Sequence, residues 1–156
     1  MNEIDAAYSW LALTLKGDVT LRALPVGAPI QQRWYRHVAP ARDPGTTNPT
    51  TYPVGIFSRV GGRDTRGVGQ CRVLPVSFVD VKIVAKAGTD VSAAVSRVDT
   101  LLDVPTQASP ITSVVVDGVT YWIHGCSRRE ELSFATLDDT QLFEHAGGTY
   151  ELTISR

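Results

Sequence analysis

The chain has 156 residues, with 15 Lys/Arg against 16 Asp/Glu and a net charge of −1. That length is one domain's worth, and 43% apolar with 20% charged residues is the composition of a globular protein, not a disordered one. No apolar run approaches the roughly 18 residues of a membrane span, the acidic start Met1–Asp5 predicts no secretory signal, two cysteines are too few for a disulfide scaffold, and near-neutral charge argues against a general nucleic-acid binder.

The first predicted element is a helix over residues 3–16. Ile4, Tyr8, Leu11 and Leu15 form one apolar stripe, Asn2 is placed to cap it, and Gly17 ends it. Pro25, Gly27 and Pro29 make 18–32 irregular. Residues 33–38 (Arg-Trp-Tyr-Arg-His-Val) are β-formers and predict a strand. A proline-rich loop spans about 39–51, followed by a strand from Tyr52 to Val60. Four glycines in residues 61–70 predict a flexible loop, made basic by Arg59, Arg63, Arg66 and Arg72.

A long strand is expected from Arg72 to Lys86. Its apolar phase changes between Phe78 and Val79, which predicts a bulge there or two ends packed against different partners. Val91, Ala94, Val95, Val98, Leu101 and Leu102 predict a helix over 90–103, with Thr89 as its cap and Pro105 beyond its end. Asp117-Gly118 fits a two-residue type I′ turn, placing Val116 opposite Val119 and Val114 opposite Tyr121. The second arm of that hairpin runs on through Cys126 towards Phe134, and 149–155 alternates as a last strand. The expected fold is a single α+β domain over 1–156: a mostly antiparallel β-sheet packed against two α-helices, in the order α-β-β-β-α-β-β-β.

Chemical constellations are weak. His37, Cys71, His124, Cys126 and His145 are the soft or borderline metal donors, but only His124-Gly125-Cys126 places two close together, so neither a metal nor a cofactor is expected. Pairing Cys71 or Cys126 with His37 or His145 has no local nucleophile signature. The 61–70 segment matches no phosphate-binding pattern. Its arginines are instead interface candidates, suited to an acidic partner. Charge is split along the chain: residues 1–72 hold nine basic and five acidic residues, and 73–156 hold six basic and eleven acidic. Such a chain can pair with copies of itself.

Several stretches in order carry a likeness: Trp34-Tyr35-Arg36-His37-Val38-Ala39-Pro40, Tyr52-Pro53-Val54-Gly55-Ile56, Val79 to Leu102, Asp117 to Arg129, and Gly147 to Ser155. With them the sequence resembles the tail terminator (tail completion) proteins of long-tailed bacteriophages. The resemblance implies a virion protein, assembled in the host cytoplasm, with no catalysis and no cofactor. It implies a homo-hexameric ring capping the head-proximal end of the tail tube. Implied partners are the tail tube protein and a neck or head-completion protein, with DNA passing through the lumen and no membrane involved. The 61–70 loop has no counterpart in that pattern. Alternatives are another phage neck or head-completion protein and, from a different class, a small host ligand-binding domain or enzyme.

Overall fold

The computed structural model describes residues 2–66 and 72–156, with side chains described for 3–62 and 75–156. Helix α1 (Asn2–Gly17) is followed by a short helix α2 (Val19–Arg22), then strands β1 (Trp34–Arg36), β2 (Val54–Arg66) and β3 (Arg72–Lys86). Helix α3 (Ser92–Leu102) precedes β4 (Thr112–Val116), β5 (Val119–Asp138) and β6 (Gln141–Ser155). The strands form one sheet in the order β1-β2-β3-β6-β5-β4.

This overturns the expected α+β arrangement of an antiparallel sheet against two helices. Among the described residues the protein is mostly β, 47% strand and 21% helix, with one curled, mixed six-stranded sheet and three helices. The sheet is mixed because β1 runs parallel to β2. Residues 37–53 make the return crossing that a parallel pair requires. Ala39 and Tyr52 pack with Val54, Ile56, Val84 and Phe143, on the face away from the main core. The unforeseen α2 starts where the Asp18 carboxylate accepts the Leu21 N–H at 2.7 Å, a short-range cap ahead of only four helical residues.

Strand content exceeds expectation at two places. Residues 61–66, expected in the flexible loop, continue β2, where pairing with β3 supplies backbone hydrogen bonds that local glycine freedom would forgo. Residues 67–71, the rest of that loop, lie outside the described residues. The final strand begins at Gln141, because 141–148 pairs with β5 and 143–148 also with β3, despite its polar side chains.

The helix-facing side of the sheet carries the core. The stripe of α1 is realised in Tyr8, Leu11 and Leu15, and α3 adds Ala94, Val98 and Leu102. They meet Phe57, Val79, Val81, Ile83, Tyr121, Ile123, Tyr150, Leu152 and Ile154. Trp34 lies flat over Gly55, where an added Cβ would stand 2.1 Å from the indole, so only glycine fits. Asp117 and Gly118 both have positive φ, and β4 pairs with β5 in the expected register. For α3, the cap differs from expectation. The N-cap position is Val91, not Thr89, and makes no side-chain cap bond; one residue earlier the Asp90 carboxylate accepts the Ser92 N–H at 2.9 Å.

Bulges shape the sheet's two ends. In β2 the register shifts between Arg59 and Gly61, opposite the Phe78–Val79 phase change. In β5 it shifts between Ile123 and Gly125 and again between Arg128 and Glu130. Each extra residue bends its strand and increases the local twist.

Candidate self-association surface

The residues with catalytic or metal-binding potential are dispersed. Cys126 is buried on the helix side of β5, and burial pushes its thiol up to about 12, far from a reactive thiolate. His145 lies on the opposite face of the sheet, level with Val84, so the two do not form a pair. Its ring stacks on Phe134 at 4.3 Å, and its Nε2 is 2.8 Å from Thr136 Oγ1. His124 is tied between the Gln107 carbonyl at 3.1 Å and Ser155 Oγ at 2.8 Å. His37 packs edge-on against Tyr8. Cys71 lies outside the described residues. Among the described residues no group of three or more His, Cys, Asp or Glu is placed to hold a metal.

What the fold does present is two hairpins whose outer strands, β2 and β5, run past the short strands β1 and β4 that flank them. The first is β2–β3. On the outer side of β2, β1 reaches only Phe57. The next outward amide, that of Arg59, donates to the Tyr8 hydroxyl at 2.9 Å. Arg59 Nε then reaches back to the Gly61 carbonyl at 3.0 Å. Beyond this point, among the described residues, no strand lies against the outer side of β2 through Arg66.

The second hairpin is β5–β6. Its outer side is covered by β4 up to Ile123. Residues 104–111 continue the cover to Cys126, whose N–H and C=O both bond Val104 at 2.8 Å. Past Cys126, among the described residues, no strand lies against the outer side of β5 through Asp138. The root of this arm is anchored. Arg128 Nη1 donates to Asp99 Oδ2 on α3 at 2.5 Å, and the Tyr150 hydroxyl donates to the other oxygen of the same carboxylate. Arg129, the bulged residue, pairs with Glu151.

The two arms point in opposite directions. The last described pair of β2–β3, Arg66 with Arg72, lies at the end of the sheet where Val76 pairs with Thr153. The β5–β6 turn lies at Asp139, at the other end, where Lys86 pairs with Phe143. They also carry opposite charge. Residues 58–78 contain four arginines and one acid; residues 127–145 contain two arginines and five acids. Thus the charge split along the chain becomes a split between two projections.

All four predicted interface residues fall on the first arm. Arg59 is exposed and sits at the bulge. Arg63 and Arg66 belong to β2, and Arg72 to β3, pairing with Val76, Arg72 and Arg66 in turn; their side chains lie outside the described residues. Sequence reasoning missed the apolar part of the other arm. Phe134, Leu137 and Leu142 are exposed large apolar residues. The signal was present as Leu132, Phe134 and Thr136 at spacing two, but charged neighbours disguised it. No protein-family model matches the chain, and no curated protein matches it in sequence.

Proposed function

We propose that this protein is a structural subunit of a phage tail. In this reading copies join head to tail into a ring that caps the head-proximal end of the tail tube, stops its growth and offers a docking surface to the neck or head-completion protein. The observation that carries the reading is the pair of oppositely charged arms at opposite ends of one sheet. Two different complementary patches on each copy are what a heterologous, ring-closing contact requires. The resemblance in segment order supports the tail assignment and a count of six. DNA would pass through the lumen without sequence-specific binding, and no catalytic step or cofactor belongs to this role.

Light scattering tests the ring: six copies of a 16.9 kDa chain give a particle of about 100 kDa. Electron microscopy of tails assembled without this protein tests termination. Overlong tubes lacking heads are expected. Tails of normal length joined to heads would overturn the assignment in favour of a different head or neck component.

A further inference from the structure

We infer that the copies are joined by strand addition: the open outer edge of β2 on one copy pairs, antiparallel, with the open outer edge of β5 on the next. This rests on the ring reading above and specifies its contact. An unpaired strand edge is a row of exposed donors and acceptors that another chain can complete. Besides the outer edges of the short end strands β1 and β4, the described residues carry one such row beyond Gly61 on β2 and another beyond Cys126 on β5. They lie on opposite sides of the same sheet, so one copy can use both at once.

The occupant of each edge is identified by charge and by direction. The β2 edge belongs to the basic arm and the β5 edge to the acidic arm. Like edges would therefore repel and unlike edges attract. Successive antiparallel pairings of β2 with β3, β3 with β6 and β6 with β5 leave β2 and β5 antiparallel within one copy. Adding the next copy's β2 antiparallel to β5 continues that alternation and keeps every copy in one orientation. A parallel addition would invert each successive copy, which a ring with one capping face does not allow. The contact would also cover the exposed apolar residues of the acidic arm, Phe134 and Leu137. The Arg59 guanidinium, folded onto the Gly61 carbonyl, guards the basic edge at its root in the free chain.

Hydrogen–deuterium exchange on the full chain, assembled and diluted to monomer, reads this contact directly. Amides within 61–66 and 127–138 are expected to exchange at least roughly tenfold more slowly in the ring. Charge exchange is the second measurement. Arg63→Glu with Arg66→Glu, or Glu130→Lys with Glu131→Lys, is expected to abolish the roughly 100 kDa particle. All four substitutions in one chain are expected to restore it. A ring that forms with both edges still exchanging fast, and that tolerates each reversal, overturns strand addition but leaves the ring reading standing. Edge protection that requires tube protein and is missing from the free ring assigns the edges to the tube instead, and also overturns the inference. A chain that stays monomeric at high concentration and at tube ends overturns the ring reading itself.

Discussion

Where α1 and α3 cover the sheet, Leu11, Val81, Leu102 and Tyr150 lose all contact with water. Where the hairpins run past those helices, the same strands carry arginines, acids and exposed Phe134 and Leu137. Backbone pairing continues from one region to the other, with its register shifted at the border. The bulges near Val60 and Arg129 mark the borders. Sheet hydrogen bonding, helped by contacts such as the Phe134–His145 stack, shapes the arms, while the main apolar core lies under the helices. A mutation's effect should depend on which side of a bulge it falls.

The largest effect is expected in the covered region. Trp34→Ala removes a buried indole and leaves a cavity over Gly55, at a cost of about 3–5 kcal/mol. Gly55→Val drives side-chain atoms into the same indole and is expected to prevent stable folding. Denaturant titration of each variant measures both, and wild-type stability in either would refute the close approach.

A smaller loss is expected at the border. Tyr150→Phe deletes the donor to Asp99 while Arg128 still neutralises that carboxylate, so stability should fall by about 1 kcal/mol. Asp99→Ala should cost more, because it removes the partner of the tyrosine hydroxyl and the closer of Arg128's two carboxylates, leaving only Glu131 at 3.6 Å. Equal effects of the two variants in thermal melts would argue that the three groups do not act together.

On the basic arm the expectation reverses. Arg59→Glu should leave monomer stability within about 0.5 kcal/mol, since the side chain is exposed. Self-association should nevertheless weaken roughly tenfold and become less sensitive to added salt. Sedimentation at two ionic strengths separates these outcomes.

The smallest effects are in pH dependence, and they differ by region. His145, on the acidic arm, has its pKa held below 6.5 by burial first and by the Lys82 charge second. The unfolded chain takes up that proton first, so stability falls as pH drops below 6.5. His145→Gln should flatten that slope. Under the helices, the carboxyl of Asp18 is held below 3.8, chiefly by its hydrogen bond from Arg97. The stability it contributes is complete above 3.8 and lost as pH falls through its lower folded value. Asp18→Asn should remove that acid-range loss and leave the slope near neutrality unchanged. Urea titrations across the two ranges distinguish the variants.

Legibility from sequence followed the same division. The α1 stripe, the α3 stripe and the Asp117-Gly118 turn were readable because each is a local pattern with its own physical cause. Gly61–Arg66 was misread as loop because glycine propensity is local, whereas the β3 partner that holds it is not. Residues 127–148 escaped as one hairpin because the bulge between Arg128 and Glu130 switches the side-chain phase. Arg59, Arg63, Arg66 and Arg72 were visible as a basic cluster. That an acidic arm projects at the opposite end of the sheet was not visible, since it depends on three strand pairings between distant segments.

By itself, then, the amino-acid sequence determined the two main helices, the tight turn, the apolar faces they bury and the lengthwise separation of charge. Periodicity and turn chemistry act over a few residues, so they can be read without a partner. The parallel docking of β1, the curl of the sheet, the length of the hairpins and the two open edges were decided only in the tertiary structure. Each is a property of which strand lies beside which, and that choice is made by long-range burial and pairing.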